Sequence, residues 1–122
     1  MPQEISQRLL DRFTEVGLID DAAFAKAFTN TRRQSRGLSK SALRRELATA
    51  GVDQDLVNQA LEDIDFDSEL ELATELAVRR MRSLVALEKD VQYRRLSGFL
   101  GRRGFSAGIV STAIRVAQQQ VN

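Results

Sequence analysis

Six basic side chains fall between Arg32 and Arg45 with no acid among them: Arg32, Arg33, Arg36, Lys40, Arg44 and Arg45. On a helix, positions 32 and 36 share a face and 33 lies about 100° round. Lys40, Arg44 and Arg45 follow across a short turn at Gly37. The chemistry open to such a row is grip on anions. A guanidinium fork fits phosphate or carboxylate oxygens, and several in series follow a backbone. The alternative is a solvated face that pairs locally with Glu46 or nearby aspartates. A second basic set follows at Arg79, Arg80, Arg82, Arg94, Arg95, Arg102 and Arg103. It too reads either as a contact surface or as an ordinary exposed helix. Tyr93, just before Arg94 and Arg95 in an irregular stretch, is a candidate for stacking or partner contact.

Other chemistry is poorly supplied. The 122 residues contain no cysteine and no histidine. Disulfides and thiolate metal sites are excluded, and the commonest general base is missing. No Ser/Lys arrangement suggests a nucleophile, so no catalytic residue is assigned and no enzyme is expected. Gly98, Gly101, Gly104 and Gly108 form no phosphate loop, because no strand precedes them and no Lys-Ser/Thr follows. Asp20 and Asp21 lack the glycine-bearing loop of a cation site and read as helix caps. Neither metal nor cofactor is expected. Seven acids without a base run from Glu62 to Glu75. They suit the start of a helix, or contact with a basic partner surface. Net charge is only +1, so the blocks imply separate positive and negative surfaces. No apolar run reaches the ~18 residues of a membrane span. The first residues lack a signal-peptide pattern, and a cytoplasmic location is expected.

The elements that must position these charges are helical. Leu43 to Leu61 and Leu96 to Ile114 are related by adding 53 to the numbering. Leu43 falls on Leu96, Leu47 on Leu100, Gly51 on Gly104, Val57 on Val110, Ala60 on Ala113 and Leu61 on Ile114. A repeat of this length indicates stacked supersecondary units. Ile5, Leu9, Leu10, Phe13 and Val16 mark one helix face, which Gly17 ends. Further helices start near Asp20 or Asp21, Ser39 or Ser41, Asp53, Asp67 or Ser68, and Ser106. The sixth carries Leu96, Phe99 and Leu100. Phe24, Phe28 and Arg32 align with Leu72, Leu76 and Arg80 at an offset of 48. The shift to 53 puts extra residues in the second repeat's first connection, where the pattern blurs. Most phenylalanines sit at core spacing. Close helix approach, or a helix labile enough to adapt to a partner, would explain Gly98 and Gly101 inside the sixth helix. The expected fold is all-α, an elongated, curved array of tandem three-helix repeats. Its parts are the third helix of an incomplete first repeat (1–17) and complete repeats over 18–66 and 67–122.

The string LLDRFTEVGLIDDAAFAKAF, Leu9 to Phe28, and its continuation RRQSRGLSKSALRRELATAGV, Arg32 to Val52, resemble the RecX family of bacterial RecA modulators. The combination is specific: Gly17-Leu18-Ile19-Asp20-Asp21, Phe24-Ala25, an arginine-rich helix end, Gly37, and Leu43 with Glu46-Leu47 and Gly51-Val52. The resemblance covers nearly the whole chain. It departs in lacking the first two helices of the first repeat, and in having Phe28 where the family often has tryptophan.

The resemblance implies a curved body of three-helix repeats that binds the RecA recombinase, mostly as its filament on single-stranded DNA, and inhibits or modulates ATPase, strand exchange and filament growth. It also implies weak direct DNA binding, and a monomer without a cofactor is expected. The rival reading is a non-specific DNA-binding helical module, since three short helices can imitate a helix-turn-helix. The absence of Asn or Gln beside the arginines on a recognition face argues against sequence-specific readout.

Overall fold

The computed structural model describes residues 21–121. The expectations for Ile5 to Asp20, including the opening helix and its Gly17 stop, lie outside the described residues. Within them there are six helices and no strand: α1 (Asp21–Arg36), α2 (Lys40–Thr49), α3 (Gln54–Leu61), α4 (Phe66–Met81), α5 (Lys89–Arg102) and α6 (Ala107–Gln120). They form two triplets in tandem, as the repeat requires. No helix among the described residues is long and apolar enough to cross a membrane.

Local chemistry sets most boundaries. The Ser39 hydroxyl accepts from the Ala42 amide at the head of α2, Asp53 from the Asp55 amide at α3, and Ser106 from the Ile109 amide at α6. Each satisfies an amide that the first helical turn would leave without a partner. The start of α4 is earlier than the spacing suggested. Asp65 accepts from the Ser68 amide, and the Ser68 hydroxyl answers the Asp65 amide, so the helix opens at Phe66. Gly37, Gly51 and Gly104 stop helices at φ +63°, +85° and +91°, a region costly for residues with a Cβ.

Each triplet has its own hydrophobic cluster, and the two clusters share no buried residue. The repeat pairs Leu43 and Leu96, Leu47 and Leu100, and Leu61 and Ile114 are all fully buried. The first helices differ. In α1, Phe24, Ala25, Phe28, Thr29 and Arg32 face inward. In α4 the fully buried positions are Ala73, Ala77 and Met81, while Leu72 and Leu76 are only partly covered. Ala73 and Ala77 share one cluster with Ala113 and Ala117 of α6, and Leu72 and Leu76 pack against its edge. Leu76 also packs toward the other triplet, where a Cβ on Gly37 would come within 2.8 Å of its Cδ1.

The blurred stretch after α4 is a run of turns stitched by Gln92. This buried amide donates to the carbonyl oxygens of Leu84 and Leu87 at 3.0 and 2.9 Å. Tyr93 is therefore not in an irregular connection but on α5, half-exposed. Close helix approach does not explain the α5 glycines. A Cβ on Gly101 would meet nothing within 4 Å, and one on Gly98 only the Arg102 side chain. Phe66 also departs from core packing, at 63% exposure.

Candidate anion-binding surface at the junction of the triplets

The triplets meet along a polar seam. The Ser39 amide donates to the Arg103 carbonyl at 3.0 Å. Next to this bond, Gly104 lies so close to Ser39 and Ala42 that a Cβ on it would collide with the Ser39 hydroxyl. Glu69, from the acidic block, crosses the seam. Its carboxylate accepts from Arg33 Nη1 at 2.7 Å and from the Lys40 amide at 3.1 and 3.2 Å. A negative group thus sits at the first amide of α2, where the helix dipole favours it. Glu69 lies in the first turn of its own helix, as expected, and adds this contact to a neighbour.

Several candidate binding residues turn out to be braces. Arg32 is only 2% exposed. Its guanidinium lies 4.9 Å from the Phe28 ring centre, with Nε 3.5 Å from Glu46. The expectation that Arg32 meets a partner is corrected on this ground: its charge faces the protein's own interior. Arg33 is half-buried and spends its fork on Glu69 and on the Leu38 carbonyl. The Lys40 ammonium donates to the Ile64 carbonyl at 3.0 Å. For these three, local pairing describes their geometry.

Of the candidate contact residues, Arg36, Arg44, Arg45, Arg80, Arg82, Arg94, Arg95 and Arg102 are exposed and Arg103 is half-buried; Arg79, Lys89 and Arg115 are exposed as well. They do not form one stripe. Arg44 donates to Asn58 within its own triplet and shares with Lys40 a small recess on one side of the seam. Tyr93 borders a different recess, beside Lys89 and Arg115 on α5 and α6.

On another side of the seam opens a cleft of about 720 Å³. Its wall combines the end of α1 and the turn after it (Arg33 to Gly37), one face of α4 (Leu72, Glu75, Leu76, Arg79, Arg80), Ser83, Phe99 of α5, and Arg103 just past the end of that helix. Arg103 Cζ lies 4.0 Å from the Phe99 ring centre and Arg80 Cζ 5.7 Å from it. Both positions suit cation–π attraction. Burial, and after it the charges of Arg102, Arg36 and Arg80, hold the Arg103 guanidinium below its ordinary value; it remains cationic at any physiological pH. Glu75, the acid in the wall, is engaged by Arg79 at 3.0 Å. The cleft is an open, predominantly positive crease.

Sequence reasoning missed the organising roles of Phe99, Glu69 and Gln92. The four-residue step from Phe99 to Arg103 was a usable signal for their contact. Nothing local could have brought Arg80 to the same ring.

Comparison with known proteins agrees with this architecture. Residues 20–61 match the family model described as RecX, second three-helix domain, and residues 67–114 match RecX, third three-helix domain. The chain is 41% identical over 120 residues to the regulatory protein RecX of Streptomyces coelicolor, covering 98% of this chain and 64% of that one. It is 41% identical over 115 residues to the regulatory protein RecX of Thermobifida fusca, covering 94% and 62%. The chain thus spans a little under two thirds of the length of these relatives. The crystal structure of RecX from Lactobacillus salivarius superposes with a TM-score of 0.72 at 18% identity, over 89% of this chain and 71% of that one, a likeness of fold.

Proposed function

The chain belongs to the RecX family, and from that premise we propose that it binds the RecA recombinase and its filament on single-stranded DNA and restrains recombinase activity. The observation that carries this reading is the placement of exposed arginines around the junction of two three-helix repeats. Charge displayed on an open crease between repeats suits a polymeric partner whose subunits and strand present repeated anionic groups. The protein acts by occupancy, as a cytoplasmic monomer, with no cofactor and no reaction of its own. A bound protein shifts a filament between states only by its difference in affinity for them. This one favours an altered or terminal geometry over the active one, by lying in the groove or by capping the growing end. Arg36, Arg44, Arg45, Arg80, Arg82, Arg94, Arg95, Arg102 and Arg103, with Tyr93, supply the contacts. Arg33 and Lys40 hold the surface in shape.

The test is RecA ATPase turnover and strand exchange on single-stranded DNA, with and without the protein. Both rates are expected to fall as the protein is added. Combined Arg36→Ala, Arg44→Ala and Arg45→Ala substitution is expected to relieve the effect. Turnover and exchange that stay constant at saturating protein overturn the proposal.

A further inference from the structure

We propose that the cleft at the seam binds a phosphodiester of single-stranded nucleic acid, held between Arg80 and Arg103, and that this contact braces the two triplets against each other. The inference rests on the reading that the protein works on a filament carrying such a strand.

Two cations are gathered on one ring. Arg103 and Arg80 come from different segments yet both lie over Phe99, at 4.0 and 5.7 Å. Among the described residues neither forms an ion pair with a carboxylate. Glu75 is held by Arg79, and Glu69 by Arg33 and the Lys40 amide. Arg103 also keeps a buried Nε with no hydrogen-bond acceptor, while its Nη1 reaches the Phe99 carbonyl at 3.3 Å. An unsatisfied charged donor beside a like charge is costly. An anion in the cleft offsets the repulsion between the two guanidiniums.

The geometry favours phosphate over a carboxylate side chain. A carboxylate is best met by a single fork in its own plane. Here two guanidiniums hang from α4 and the end of α5, and tetrahedral phosphate offers oxygens in more than one plane. The open cleft, about 720 Å³, leaves room for the strand to pass on both sides of the phosphate.

The brace follows from the backbone. The residue whose side chain faces the cleft is the residue whose carbonyl accepts the Ser39 amide from the other triplet. Fixing the Arg103 side chain therefore limits the freedom of the hydrogen bond that joins the repeats.

The experiment is fluorescence anisotropy of labelled oligothymidylate with the full chain across a salt series, using Arg80→Ala and the double variant Arg80→Ala/Arg103→Ala, with circular dichroism confirming that each is folded. The double variant is expected to weaken binding at least about tenfold. The slope of log affinity against log salt should shrink by ~0.7, the value for one lost phosphate contact on a single strand. Arg103→Lys, which keeps the charge but loses the fork, is expected to fall between. Amide exchange at Ser39 is expected to slow when oligothymidylate saturates the wild type. Unchanged affinity and slope in the folded double variant, or polyglutamate competing as well as oligothymidylate, overturns the phosphate site. Unchanged exchange at Ser39 overturns the brace. RecA ATPase assays run beside these separate the two readings. Loss of inhibition in the double variant with oligonucleotide binding intact overturns this site and leaves the recombinase reading standing. Oligonucleotide binding with the expected slope, but no effect of the wild type on RecA, supports this site and removes the other reading.

Discussion

The backbone amide of Ser39 donates to the carbonyl oxygen of Arg103 at 3.0 Å, and through this bond the head of the second helix is fastened to the end of the fifth. Ser39 thereby does two jobs, since its hydroxyl also caps the helix it begins. The bond forms because Gly104 has no side chain to hold the two segments apart.

Substitution at Gly104 tests this seam. Alanine there meets a left-handed backbone, worth about 1–2 kcal/mol, and also collides with the Ser39 hydroxyl and with Ala42 Cβ at 3.0 Å. Gly51 is its repeat partner at φ +85°, with nothing within 4 Å. Urea unfolding should show Gly104→Ala losing at least about 1 kcal/mol more than Gly51→Ala, the contribution of overpacking. Equal losses would mean that the seam yields without cost.

Glu69 is the second test. Replacing it with alanine removes the Arg33 ion pair and the acceptor at the Lys40 amide together. The cost is expected to be about 2–3 kcal/mol, as for charge-assisted bonds at a buried group. Glu69→Gln keeps one acceptor oxygen and should lose less. Thermal or urea unfolding of both variants decides the order.

Arg32 and Arg45 were indistinguishable in the sequence, two members of one basic run. Their environments separate them. Arg32→Ala leaves a gap over Phe28 and takes a cation from beside Glu46, and should cost about 2–4 kcal/mol. Arg45 is exposed, and Arg45→Ala should stay within about 0.5 kcal/mol of wild type. If binding is measured instead, Arg45→Ala is the informative variant, because Arg32→Ala reports on the fold.

The contrast shows what periodicity can and cannot reach. Caps, helix stops and the leucines repeated at an offset of 53 depend on neighbours within a turn or two, and Ser39, Asp53, Ser106, Gly51 and Gly104 all behave as their types predict. The run of six bases was legible as positive charge, but its division was not. Whether a given arginine faces water or Glu69 is decided by residues far along the chain. The partial exposure of Leu72 and Leu76 has the same origin: their neighbours Ala73 and Ala77 hold fully buried positions of α4, in one cluster with Ala113 and Ala117.

A pH response follows from Asp65. The amide of Ser68, and then its hydroxyl, hold the Asp65 carboxyl below the ordinary carboxylate range. Because the folded value is depressed, its stabilisation is present above the unfolded value of ~3.9 and is lost as pH falls through the folded one. Acid titration followed by circular dichroism should therefore show wild type losing stability in that range. In Asp65→Asn, which keeps a capping oxygen but cannot titrate, the dependence should be shallower. Superimposable titrations would show that this cap contributes nothing to acid sensitivity.

The two hydrophobic clusters have no buried side chain in common, so heat can enter this molecule by more than one door. One triplet can melt while the other still holds its interior, surrendering between them the Ser39–Arg103 bond, the contacts of Glu69 to Arg33 and Lys40, and the approach of Leu76 to Gly37. A calorimeter would then record an enthalpy larger than the steepness of the transition implies, the mark of a body that comes apart in stages.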